Sequence, residues 1–337
     1  MKLNKQLSVG IVSSIVMFMV ILDAGTAVNA AEEAIQLCLN TIIPALLPFI
    51  VLSTLVSRNL TGYSFRFLRL IANATGVPEG AESLLLLSFA GGYPIGARSV
   101  YQSWQNGTLD KRTAQRLLCF CNNAGPAFIF GMGSFLFKNS AAPWLLWGIH
   151  IISAVIIGIL TPGKVIASAS VHTSDYYGPS AAVSESVGVT AQICIWIVIF
   201  RVIIGFCNRW FLWLLPTHMQ ILITGLLELS NGCHALTNVP SEALRFVLFS
   251  IILSFGGICV LMQTVTAVGA LGISTYIKGK VAQCMMSLGI ASVTQYFLYS
   301  PGERLDISLA LSLFTITISL LFTGIPLKKR VAFSLQI

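Results

Sequence analysis

Two broken stretches carry the residues of the first half best suited to chemistry. Gly91-Gly92-Tyr93-Pro94-Ile95-Gly96 ends an apolar run and makes a turn where two half-helices meet with bare backbone donors and few bulky side chains. A half-helix N-terminus carries about half a positive charge and unpaired N–H groups, which suits a carboxylate. Asn122-Asn123-Ala124-Gly125-Pro126 interrupts a second apolar run. The break frees carbonyls and adds two side-chain amides that both donate and accept, able to contact polar solutes or cations. The competing readings are an ordinary loop for the first break and a self-satisfied proline kink for the second.

Both devices recur later. Leu227-Glu228-Leu229-Ser230-Asn231-Gly232 breaks one apolar run and Phe255-Gly256-Gly257 another, with Gln263 two helical turns beyond. Glu228 is the carboxylate within its run, and at membrane depth it can hold a proton or help bind Na⁺. Coupling to H⁺ or Na⁺ is therefore expected, without a cofactor. Arg201, in Ile199-Phe200-Arg201-Val202, is the second coupling candidate, paired with Glu228 or an anionic solute; snorkelling outward is its competing reading. Solvation at a wet hairpin mouth competes for Glu228, and close helix packing for Gly256 and Gly257. Asp23 reads as a cap. No nucleophile motif, phosphate loop or paired carboxylates emerge, and neither His150, His172, His218 and His234 nor the eight cysteines show metal spacing. Neither an enzyme nor a metal site is expected, and the thiols should be buried.

The elements that must position these residues follow from composition. Of 337 residues, 55% are hydrophobic and only 9% charged, with a mean hydropathy of +0.84. Soluble domains average about 25% charged residues, so a soluble enzyme with one anchor is excluded. The fold class is an all-α polytopic membrane protein with about eight transmembrane helices, at 8–28, 34–57, 112–137, 142–162, 186–207, 242–271, 281–299 and 307–326. The stretches 83–97 and 219–236 read as re-entrant hairpins, since irregular backbone at membrane depth survives only when buried or lining a cavity.

The net charge of +8 lies between apolar runs, which excludes a nucleic-acid stripe. Arg58, Arg66, Arg69, Arg98, Lys111, Arg112, Arg116, Lys278 and Lys280 fall on one side of this topology. Lys138, Arg209, Arg245 and Arg304 fall on the other, which puts both termini in the cytoplasm. The segment Arg98 to Arg116, with Asp110 as an N-cap, reads as a face for lipid phosphates. A small-molecule solute and membrane lipid are the expected partners, with a homo-oligomer left open. Residues 1–30 also fit a cleaved signal peptide, but the segment reads as a span because further spans follow at once.

The order of elements repeats with opposite orientation. Residues 1–33 form an N-terminal helix, and 34–162 a first repeat of span, hairpin, broken span and closing span. A loop at 163–185 follows, then a second repeat at 186–299 and a C-terminal helix with a basic tail at 300–337. Inverted repeats whose broken elements meet near the midplane are a transporter signature.

Gly91-Gly92-Tyr93-Pro94-Ile95-Gly96-Ala97 and Cys121-Asn122-Asn123-Ala124-Gly125-Pro126-Ala127-Phe128-Ile129-Phe130-Gly131, with a basic helix between them, resemble motifs of the YlbJ-like sporulation integral membrane proteins. These belong to the wider nucleoside-recognition, or Gate, domain group. Leu227-Glu228-Leu229-Ser230-Asn231-Gly232 and Ser254-Phe255-Gly256-Gly257-Ile258-Cys259-Val260-Leu261-Met262-Gln263 resemble its later motifs. The resemblance covers roughly residues 34–299. It implies an architecture like that of concentrative nucleoside transporters and, for sporulation members, movement of dipicolinate across the outer forespore membrane. A nucleoside transporter and a non-transporting scaffold of the same fold are the alternatives.

Overall fold

The computed structural model describes residues 5–60, 63, 65–161, 163, 176–306, 308, 311–312, 314–316 and 319. The expected span at 307–326 and the centre of the 163–185 loop lie largely outside the described residues. Every regular element among the described residues is helical. Five helical stretches are long and apolar enough to cross a membrane: Ala24–Leu60, Ala141–Leu160, Pro179–Trp210, Glu242–Leu271 and Ser274–Leu298. The outward surface is apolar, with Phe18, Trp144 and Ile195 exposed, whereas Asn122, Asn123 and Gln283 are wholly buried. This polar-in, apolar-out arrangement suits a lipid solvent.

The first helix, α1 (Lys5–Leu22), stops at Asp23, whose carboxylate accepts from Thr26 N at 3.3 Å and Thr26 Oγ1 at 2.9 Å, capping α2 (Ala24–Leu37). A π-turn, Cys38–Ile42, joins α2 to α3 (Ile43–Leu60) without interruption. The expected gap between 28 and 34 is thus absent, and one 37-residue helix replaces it. The π-turn immediately precedes Pro44, which has no N–H to return to the Asn40 carbonyl. Ile42, Leu46, Phe49 and Ile50 share one face of this rod.

After α4 (Arg69–Thr75) comes a hairpin of α5 (Ser83–Ala90) and α6 (Ile95–Gln105). Its arms of 8 and 11 residues span about 12 and 16 Å, so neither alone crosses a hydrocarbon core of about 30 Å. Next, α7 (Lys111–Leu117) is capped by Asp110, which accepts from Arg112 N at 2.9 Å and Thr113 N at 3.1 Å. An irregular stretch through Asn122 and Asn123 leads to α8 (Pro126–Leu136), then α9 (Ala141–Leu160).

The second half of the chain is helical as well, where it is described. It comprises α10 (Pro179–Trp210), a hairpin of α11 (Thr217–Leu227) and α12 (Leu229–Ala235), then α13 (Glu242–Phe255), α14 (Gly257–Val268) and α15 (Ser274–Leu298). Two helices begin earlier than hydropathy predicts. In α10, Glu185 is held by Arg58 at 3.1 Å and Arg98 at 2.9 Å, so its charge does not end the helix. In α15, the helix opens seven residues before the expected 281, because Lys280 turns inward and is buried instead of lying in a loop.

Candidate functional site

The four breaks converge. Gly92, at φ +78°, touches the first broken span: a Cβ there would lie 3.1 Å from Gly125 N. Gly256, at φ +81°, faces Tyr93, and a Cβ would lie 3.2 Å from its ring. Both positions need glycine for backbone and for space. Tyr93 therefore reaches from the first hairpin into the second break, where its hydroxyl donates to Leu253 O at 3.2 Å. Gly96 packs on Cys121, Gly232 on Gly225, and Gly257 beside Gly225 and Leu229.

Between these parts lies a cavity with enclosed room of about 50 Å³, within about 580 Å³ of empty space that includes its open mouth. Of the residues expected from sequence, Gly91, Gly92, Tyr93, Gly125, Glu228, Ser230 and Gln263 border it. The apolar face of α3 and Phe128 supply its hydrophobic wall. Pro126 opens α8, whose first turn has no side-chain cap and whose Ala127 and Phe128 also border the cavity. Gln263 donates to Cys259 Sγ at 3.4 Å, a weak bond for a buried amide.

Glu228 is buried, not solvated at a hairpin mouth. Its carboxylate accepts from Ser230 N at 2.9 Å, Asn231 N at 2.6 Å and Asn231 Nδ2 at 2.7 Å. The anion position at this half-helix is thus filled by the protein's own cap. Asn231 borders a different cavity, of about 710 Å³, together with Arg201, Thr224 and His234. The Arg201 guanidinium pairs with Glu33 of α2 and not with Glu228, the first of the two readings given to it. On the other side, Pro94, Arg98 and Glu185 line a cavity of about 350 Å³, where Glu185 ties α3 and α6 to α10. Tyr177, just before α10, donates to Glu185 at 2.5 Å, and this bond pushes its own phenol above the usual range. The ion-pair cluster lines the smaller of these two cavities, and the α11–α12 hairpin lines both the central cavity and the larger one.

Asn122 and Asn123 are fully buried and serve the framework. Asn122 Oδ1 accepts from Ala97 N at 3.2 Å and its Nδ2 donates to Thr264 at 3.0 Å. Asn123 joins a network that hydropathy did not reveal. Lys280 Nζ donates to Gln283 Oε1 at 2.6 Å, Tyr93 OH at 3.0 Å and Asn123 Oδ1 at 3.3 Å. Gln283 donates to Asn123 Oδ1 at 3.0 Å and His150 O at 3.1 Å. His150 Nε2 accepts from Ala124 N at 3.0 Å, which leaves Nδ1 carrying the hydrogen towards Ser254 Oγ at 3.2 Å. Ser254 continues to Ser287 at 2.6 Å. The signal was present in the sequence: Lys280, Gln283 and Ser287 form a polar stripe at helical spacing in an otherwise apolar segment.

Among the described residues, no group of three or more His, Cys, Asp and Glu side chains is placed to hold a metal ion. No family model matches the chain, and no solved structure matches it. The chain is similar to the sporulation integral membrane protein YlbJ of Bacillus subtilis (strain 168), at 28% identity over 138 residues. That region is 39% of this chain and 33% of the relative, so the match spans about a third of the curated protein's length. The similarity bears out the YlbJ-like resemblance, and the chain is a multi-pass membrane protein, helical in every regular element among the described residues, related to a sporulation integral membrane protein.

Proposed function

We propose that this chain is a secondary transporter that carries a small polar or anionic solute through the central cavity. One observation carries the reading: both hairpins and both broken spans contribute to a single cavity, through Tyr93, Gly125, Glu228 and Gln263. Two further cavities flank it towards opposite ends of α10, one lined by the Arg58–Glu185–Arg98 cluster and one, more polar, lined by α11–α12 and Arg201. A central site between two approaches is what alternating access requires.

In this reading the two halves are an inverted repeat, the short-armed hairpins are re-entrant, and about eight helices cross a cell membrane with both termini cytoplasmic. The YlbJ-like resemblance supports dipicolinate as solute and the outer forespore membrane as location, with nucleosides as the second class. Liposomes containing the purified chain should accumulate labelled dipicolinate or uridine under a proton or Na⁺ gradient. Absence of flux for both solutes would remove both substrates and favour a scaffold of the same fold.

A further inference from the structure

We propose that Lys280 makes the central cavity an anion site, setting the charge class of solute it accepts; the assignment rests on this cavity being the transport site. Lys280 is buried in α15, and no ion pair involves it among the described residues. Its three contacts are all acceptors: the Gln283 and Asn123 amide oxygens, and the Tyr93 hydroxyl, whose own hydrogen is given to Leu253 O. An ammonium has three donors and no acceptor, so this shell matches the charged form. Lysine's charge is therefore solvated by neutral dipoles and lacks a counter-ion, an arrangement that stabilises an incoming anion.

Tyr93 transmits the effect. Nζ lies 5.0 Å from the centre of its ring, and Tyr93 also borders the cavity. A solute carboxylate touching Tyr93 would lie on the order of 8 Å from Nζ, which at an effective dielectric near 20 favours an anion over its neutral isostere roughly thirtyfold per charge. Glu228 is the charged group that borders the cavity itself, whereas Lys280 lies behind Tyr93. The two together orient the solute, with its carboxylate towards Tyr93 and its uncharged part towards Glu228.

The test compares dipicolinate with its neutral diamide, a pair of nearly the same shape, by calorimetric titration of the purified full chain in lipid nanodiscs. The wild-type protein should bind the dianion at least about thirtyfold more tightly. Lys280→Met should reduce this preference to a few-fold while diamide affinity stays the same. Gln283→Glu gives Lys280 a counter-ion without removing it, and should do likewise; it decides the matter alone if Lys280→Met fails to fold. Equal binding of the two probes by wild type, no detectable binding of the dianion, or an unchanged preference in a folded variant would overturn the assignment. Retained dianion preference without flux in liposomes would refute the transport reading and leave the anion site standing.

Discussion

Replacing Glu228 by glutamine and by aspartate separates what this carboxylate does for the fold from what it does for transport. Both oxygens are in use, one on Ser230 N at 2.9 Å and one on Asn231 N at 2.6 Å and Asn231 Nδ2 at 2.7 Å. Glutamine keeps one acceptor oxygen and sets an NH₂ group against an N–H that also donates. At least one buried donor is then orphaned, at a cost of about 1–3 kcal/mol. Aspartate is among the best N-cap residues and reaches the same two backbone groups, so Glu228→Asp should hold stability within about 0.5 kcal/mol. The assay is thermal unfolding in detergent, followed with a thiol-reactive dye. Cys38, Cys119, Cys121, Cys233 and Cys259 are buried and react only as the chain opens. Glu228→Gln should unfold a few degrees earlier than wild type. In liposomes, a Glu228 that carries the coupled proton predicts a flattened pH profile of uptake for Gln and a preserved slope for Asp. A glutamine variant as stable as wild type, or an aspartate variant that falls as far as glutamine, would refute the capping argument.

Four further outcomes are expected. Glu185→Gln ends the ion pairs with Arg58 and Arg98; a cysteine introduced at Thr54, beside this cluster, should then react faster with a soluble maleimide, while stability changes by less than about 1 kcal/mol. Gly256→Ala forces a side chain into a left-handed conformation against Tyr93, and should cost at least about 1–2 kcal/mol in the same unfolding assay. Asp110→Ala should cost about 1 kcal/mol by uncapping α7. The Thr113 hydroxyl, first among several hydrogen bonds, holds the Asp110 carboxyl below its ordinary value of 3.8, so its contribution is complete above that pH and lost as pH falls through the lower folded value; Asp110→Asn should remove this dependence in an acid titration. Cysteines at Gln105 and Ser140 should label from opposite faces of the membrane, and labelling from the same face would break the inverted repeat.

The breaks were legible because their chemistry is local. Glycine, proline and asparagine interrupt apolar runs wherever they cluster, and the structure places irregular backbone or a hairpin tip at each such site. The Asp23 and Asp110 caps were equally readable, since a capping carboxylate acts within three residues of its own position. What escaped depends on contacts distant in sequence. Arg201 pairs with Glu33, 168 residues away, and no local pattern distinguishes that partner from Glu228. Lys280 reads as a loop charge because a hydropathy window averages over all faces of a helix and cannot tell which one a lysine occupies. Glu228 reads as a free carboxylate because glutamate is not a favoured cap, although the tip geometry makes it one.

The hydrogen bonds also distinguish the two hairpins. The first is tied across the molecule: Tyr93 to Leu253 and Lys280, Ala97 to Asn122, and Arg98 to Glu185. Withdrawing its tip would orphan buried donors on both sides of the seam, each at about 1–3 kcal/mol. In the second hairpin, the hydrogen bonds of Glu228 and Asn231 close within the hairpin itself, and Gln220 reaches only to Leu215 at 2.7 Å, just before α11. Its packing is mainly against α10, α13 and α14, through apolar contacts and the close approach of Gly225 to Gly257, with a ring contact between His234 and Phe135 of α8. Sliding along an apolar contact exchanges one packing for another, whereas breaking the Tyr93 junction leaves polar groups without partners. The α11–α12 hairpin is therefore the cheaper of the two to move. The Glu228 cap lets it move as a unit, with the carboxylate and its three donors travelling together.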